Sequence, residues 1–181
     1  VTADRAFAST SAAQLRAALR AAARTKPDAL VISALLPDAV KAIVGARRIA
    51  ALKRVPLIGG NAFNAPGLYA QTHGAAQGAI SGTAWIAGRG GAGSAAFAAA
   101  YKARFGTAPD QFAAQAYAGV LLLADALSRS GHHGGVVLRD ALAATRNLPS
   151  ILGTFSFDAG REPRYTPVVV QLRKGRQVAI G

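Results

Sequence analysis

Gly88, Gly90 and Gly93 stand in the spacing G-x-G-x-x-G. Between a strand and a helix, that pattern lets backbone amides approach a pyrophosphate. The strand is expected over residues 78–86 and the helix over 94–105. The chain then runs into Gly106-Thr107-Ala108-Pro109-Asp110, a proline turn, where a dinucleotide unit requires a second strand ending in a ribose-holding acid. Residues 88–93 contain four glycines, and so glycine-rich a run matches readily by chance or serves as a hinge between lobes. His132 and His133 are adjacent, so their side chains point apart, and no Asp or Glu lies at ligand spacing. They read as a cationic pair near a helix end. Of the eight acids, Asp110 suits a helix cap, Asp28 and Asp158 fall in turns, Asp125 and Asp140 fall on helices, and none forms a pair spaced for acid/base work. Ser33 and Ser81 lack a base and an orienting group in sequence. With no cysteine at all, disulfides, thiolate catalysis and cysteine-ligated zinc are excluded. No catalytic residue, no metal and no cofactor is expected.

The net charge is +13, from 21 Lys and Arg against 8 Asp and Glu. Such a balance suits a polyanion, but the densest clusters, Arg47-Arg48 with Lys53-Arg54 and then Arg173-Lys174 with Arg176, carry no interleaved aromatics for base stacking. They read as solvated faces, and no nucleic-acid partner is expected. The most apolar stretch, 117–127, is broken by Asp125 and falls short of the ~18 residues of a membrane span. The chain begins with Val1 and contains no Met, so a processed or cut chain is expected.

These groups are positioned by an alternating pattern. Ser9, Thr10 and Ser11 offer caps for a helix over 11–25. An apolar run at 29–35 reads as a buried strand. Pro37 suits the first turn of a helix reaching about 52, with Val40, Ile43, Val44 and Arg47 setting its period. A strand at 55–58 follows. Helix, strand, helix, strand is the pattern of a parallel α/β sheet. A loop is expected at 61–67 and a short helix at 68–73. Residues 94–105 carry Phe97, Tyr101 and Phe105 on one stripe. Asp110 caps a long helix to about 130, with Phe112, Tyr117, Val120, Leu121 and Leu127 inward. A helix at 135–146 and strands at 151–157, 166–172 and 177–180 complete the chain.

The order of these segments is similar to that of type I periplasmic solute-binding proteins of the branched-chain amino-acid ABC-transporter kind. KPDALVISALLPDAVKAIVGARR with VPLIGG resembles one lobe's strand–helix–strand run. FAAAYKARFGTAPDQFAAQAYAGVLLLADAL resembles the paired helices of the other lobe. ILGTFSFDAGREPRYTPVVVQLRKGRQV resembles the closing strands. The resemblance covers nearly the whole chain, but only the C-terminal half of the family's fold. It implies two α/β lobes of parallel-sheet, Rossmann-like type joined by crossings, with a ligand between them.

On that basis residues 1–83 are expected to be the later part of the C-terminal lobe, 84–93 a crossover, 94–148 the later part of the N-terminal lobe, and 149–181 a return. The implied protein is a non-catalytic, exported, periplasmic component of an importer. It would take an amino acid or an aromatic or aliphatic carboxylate. Its partners would be a membrane ABC permease and the missing N-terminal half of the same protein. A nucleotide-dependent Rossmann-like enzyme and a basic nucleic-acid-binding α/β domain are the alternatives.

Ligands of open α/β sheets sit beyond the carboxyl ends of the strands. That places candidate ligand-binding residues at Leu36 and at Asn61, Ala62 and Phe63. Gln115, near the start of the long helix, is added by resemblance. In relatives that bind amino acids the position of Asn61 often carries an acid for the ammonium group, so an amide there points away from a free amino acid. Leu36 and Phe63 serve equally well as core packing or as an apolar wall.

Overall fold

The computed structural model describes residues 1–180. In chain order its elements are α1 (Ala12–Arg24), β1 (Leu30–Ile32), α2 (Leu36–Arg47), β2 (Leu57–Gly59), α3 (Leu68–Gln71), β3 (Ile80–Thr83), α4 (Ser94–Phe105), α5 (Gln111–Arg129), α6 (Gly135–Ala143), β4 (Leu148–Ser150), β5 (Gly153–Phe157), β6 (Pro163–Arg164), β7 (Val168–Arg173) and β8 (Arg176–Ala179). They fall into two compact units: residues 1–82 with those from 169 onward, and residues 83–168.

The first unit is built on a five-stranded sheet of order β1-β2-β3-β7-β8. β1, β2 and β3 run parallel, with Ile32 opposite Gly59 and Gly59 opposite Ser81; β7 and β8 are antiparallel to each other. Alanines at 39, 42 and 46 let α2 lie close to its neighbours, and Ile43, Leu52 and Leu57 are fully buried beside them. Each such large side chain contributes on the order of 1.5–3 kcal/mol relative to exposure. Gly45 admits α1: a Cβ there would meet Leu19 Cδ1 at 2.8 Å. Ser11 caps α1, its Oγ accepting from the Gln14 amide at 3.2 Å. Ahead of that cap, the Ser9 hydroxyl donates to Asp38, which also pairs with Lys41 at 3.1 Å. The N-terminal segment is thereby tied to α2.

Arg47 shows why the basic cluster is not a continuous patch. It turns inward and donates to the carbonyls of Val55 at 2.7 Å, Leu52 at 3.1 Å and Ala75 at 3.2 Å. Burial lowers its pKa from the ordinary guanidinium value, and those three carbonyls hold the side chain in place.

The second unit contains α4, α5, α6 and an antiparallel sheet of order β4-β5-β6. Trp85 is its anchor: the indole packs edge-on against Phe97 with centroids 5.7 Å apart, and its Nε1–H donates to Ser94 Oγ at 2.7 Å. Phe97, Tyr101 and Phe105 form the expected stripe, with centroids 5.8 and 4.6 Å apart, but Phe105 is exposed at the end of it.

Three sequence expectations need correction here. In α5 the buried residues are Gln111, Ala114, Ala118 and Ala126, while Phe112, Tyr117, Val120 and Leu121 are exposed. The helix is apolar almost all round, so its pattern did not single out a face, and the small residues set the close contact. The glycine run is not a loose break. A Cβ on Gly91 would lie 2.0 Å from the Ser150 carbonyl oxygen, and the Gly91 amide donates to the Ile151 carbonyl at 3.0 Å. Finally, residues 149–168 belong to this second unit, because β4 and β5 pair as a hairpin, Leu148 opposite Phe155. The chain re-enters the first unit at 169 and not near 149.

Substituting Gly91 with Ala is expected to destabilise the chain by about 1–3 kcal/mol, since the atoms it would clash with, the Ser150 carbonyl oxygen and Gly153 Cα and N, are all backbone. Gly82→Ala, where nothing lies within 4 Å of the new Cβ, serves as the tolerant control; guanidinium denaturation reads both. Acid stability gives a second check. The Ser9 hydrogen bond and then Lys41 hold the Asp38 carboxyl below its ordinary value, and the Glu162 amide and then Arg164 do the same for Asp158. The folded state thus binds these protons less readily than the unfolded chain. The resulting stability is complete above the unfolded pKa and is lost as pH falls through the folded one. Asp38→Asn should flatten the acid limb of a stability–pH curve, and Asp158→Asn should flatten it further.

Candidate functional site

The carboxyl ends of β1, β2 and β3 open on one edge of the first unit's sheet. Because Ile32, Gly59 and Ser81 are aligned across the strands, the residues that follow them lie side by side. After β1 come exposed Ser33, half-buried Ala34, Leu35 at 80% exposure and half-buried Leu36, which packs against the core as α2 begins. After β2 come Gly60 and Asn61. Residues expected to be a loop are wound into a short 3-10 turn, Asn61–Asn64.

Packing explains that tightening. Phe63 is buried, 3% exposed, and a Cβ on Gly59 would sit 2.3 Å from its ring. Glycine at the end of β2 therefore makes room for the Phe63 ring directly beneath it. Of the two roles open to Phe63, core packing is the one its burial supports. Ala62 is half-buried, and Asn61 is exposed at the head of the turn.

Asn64, which sequence reasoning left among loop residues, holds the edge together. Its Nδ2 donates to the Gly82 carbonyl at 2.7 Å. Its Oδ1 accepts from the Ser81 hydroxyl at 2.8 Å and from Gln177 Nε2 at 2.7 Å. One amide thus joins the segment after β2 to β3 and to β8. The Ser81 hydroxyl is a structural donor here. An amide in a loop directly after a buried strand was the available sign, but any surface loop carries the same sign.

The edge segments 33–36 and 60–64 contain no titratable side chain. Asp38, the nearest acid along the chain, is 9% exposed and engaged by Ser9 and Lys41. The chemistry available is amide hydrogen bonding and apolar contact, with no group placed to transfer a proton.

In the second unit Gln115 is half-buried on α5. Gln111, one turn earlier, is the more deeply placed amide, 3% exposed; its Oε1 accepts from the Ala84 amide at 3.0 Å and from the Thr83 hydroxyl at 2.8 Å. It fixes residues 83–85 on α5. The other motifs disperse. α4 leads directly to α5 with no strand between, so the glycine run lacks the second strand a dinucleotide site requires. Asp125, Asp140 and Asp158 pair with Arg129, Arg139 and Arg164 at 2.7, 2.7 and 2.6 Å.

A sheet whose strands β1, β2 and β3 run parallel with helical crossovers, and whose carboxyl edge is uncharged, defines an α/β architecture of Rossmann-like type. The model of the periplasmic binding protein family matches residues 2–177, so the chain belongs to that family. Solved structures agree. A leucine-binding protein from Thermotoga maritima superposes with TM-score 0.86 at 23% identity, covering 98% of this chain and 51% of that one. A branched-chain amino-acid transporter substrate-binding protein from Streptococcus pneumoniae, in complex with isoleucine, gives 0.78 at 27%, covering 96% and 49%. A solute-binding protein of an ABC transporter from R. palustris, in complex with benzoate, gives 0.75 at 25%, covering 97% and 48%. The chain spans about half the length of these structures. Among curated proteins, none matches.

Replacing Asn64 with Ala would leave the Gly82 carbonyl, Ser81 and Gln177 without their shared partner. Of these, Ser81 is buried, and an orphaned buried hydroxyl costs about 1–3 kcal/mol. The expected result is a lower denaturation midpoint together with faster amide exchange across residues 61–64.

Proposed function

We propose that this chain is part of the solute-capturing component of an ABC importer, a non-catalytic receptor that holds a small organic molecule at the carboxyl ends of β1 and β2. The observation carrying this reading is the uncharged, hydrogen-bond-fixed edge formed by residues 33–36 and 60–64, in a chain of the periplasmic binding protein family. Asn61 supplies the polar contact. Leu36, with Leu35 beside it, supplies apolar surface, Ala62 keeps the approach open, and Phe63 holds the turn from below. Gln115 of the second unit is assigned a ligand contact by resemblance. A family of exported receptors supports a periplasmic location and a membrane permease as partner. The other half of the family's fold would supply the remaining ligand contacts.

The ligand class follows from charge. A desolvated ammonium group needs a compensating anion, and this edge offers an amide where relatives that bind amino acids often offer an acid. We therefore favour an aromatic or aliphatic carboxylate over a free amino acid. Both classes occur among the neighbours, the R. palustris protein being complexed with benzoate and the S. pneumoniae protein with isoleucine.

Calorimetry of the intact protein against benzoate, leucine and glutamate tests this reading. Saturable binding of benzoate with weaker or no response to leucine is expected, and Asn61→Asp should weaken the carboxylate by at least tenfold through like-charge repulsion. Micromolar leucine binding without response to benzoate would overturn the ligand class. An unchanged affinity in Asn61→Asp would remove Asn61 from the site.

A further inference from the structure

The first unit carries a second concavity, away from the strand edge. It lies between α1 and α2, is closed at one end by residues 7–12 and is bordered by Gln71 and His73, with a volume of about 680 Å³. That is within the range of small-molecule sites. Its floor is apolar: Leu15, Val40, Val44 and Ile49 line it. Its rim is cationic: Arg16, Arg20, Lys41 and Arg48 all border the same space.

The charges around this space do not balance. Asp38 is the one acid in the lining, and it is taken up by Lys41 and the Ser9 hydroxyl. Arg16, Arg20 and Arg48 form no ion pair among the described residues. Arg16 and Arg20 are four residues apart on α1, a spacing at which like charges repel. An apolar floor ringed by three guanidinium groups without a protein anion is complementary to one kind of molecule.

We infer that the groove between α1 and α2 is a second binding site, for an organic anion with an apolar body. Its acidic group meets Arg16, Arg20 and Arg48, and its body rests on Val40, Val44 and Ile49. The site shares no residue with the strand edge, and the inference does not depend on the function proposed above.

Calorimetry of the intact protein with naphthalene-2-sulfonate tests this, with 2-naphthylmethylamine and inorganic sulfate as comparison ligands. The sulfonate is expected to bind saturably with one-to-one stoichiometry, and the amine not at all. Sulfate is expected to bind at least tenfold more weakly for want of apolar contact. Arg16→Gln and Arg48→Gln should each weaken the sulfonate by about tenfold, the loss of one charge-assisted hydrogen bond. Val44→Trp, which fills the floor and keeps every charge, should abolish binding, and Asn61→Asp should leave it unchanged. Circular dichroism identifies any variant that fails to fold, and the charge and floor variants each decide the matter alone. Amine binding equal to the sulfonate, sulfate binding as tightly as the sulfonate, or sulfonate binding that survives either kind of substitution would overturn the inference.

Discussion

Three hydrogen bonds to one side-chain amide hold the carboxyl edge of the first unit's sheet in place. Asn64 donates to the Gly82 carbonyl and accepts from Ser81 and Gln177, so the segment after β2, the strand β3 and the strand β8 share a single partner. Strand ends are where a parallel sheet leaves backbone groups unpaired. A buried amide with both its donor and its acceptor satisfied converts such an end into a defined surface. Asn61, three residues earlier, owes its place at the head of the turn to that clamp and to the Phe63 ring seated under Gly59.

The same physics accounts for the glycines that resembled a nucleotide motif. Gly91 has the Ser150 carbonyl where its side chain would be, its amide is spent on Ile151, and a Cβ on Gly90 would lie 2.2 Å from Ser94 Oγ, the hydroxyl that accepts from Trp85. These glycines bring the segment after β3 against the β4–β5 hairpin. A phosphate cradle needs free amides at a helix N-terminus, and the close packing of this run leaves no such role for the Gly91 amide.

Much of the architecture was legible in the residues. The alternation over 11–59 predicted α1, β1, α2 and β2 because buried strands and amphipathic helices have different periods. The cap at Asp110 was correctly placed, and Ser11 was one of three capping candidates, because a side-chain acceptor before a helix has one common use. The inward face of α5 was misread because Phe112, Tyr117, Val120 and Leu121 outweigh the alanines in apolarity, whereas contact distance selected Ala114 and Ala118. At the candidate site, Leu36 and Asn61 were reachable from the rule that ligands lie beyond strand ends. Asn64 and Gln111 were not, because their importance comes from partners 17, 28 and 113 residues away in sequence. Such pairings leave no local pattern.

Charge is the remaining constraint. A chain with 21 basic and 8 acidic side chains pairs four acids with arginines and a lysine among the described residues, turns Arg47 inward and still keeps its strand edge neutral. That neutral edge is the centre of the functional reading, and backbone amide NMR of the intact protein titrated with benzoate addresses it most directly. The account predicts saturable shift changes concentrated at residues 33–36 and 60–64. Shift changes confined to other regions, or changes at 88–94 on addition of a dinucleotide with none at the strand edge, would contradict it.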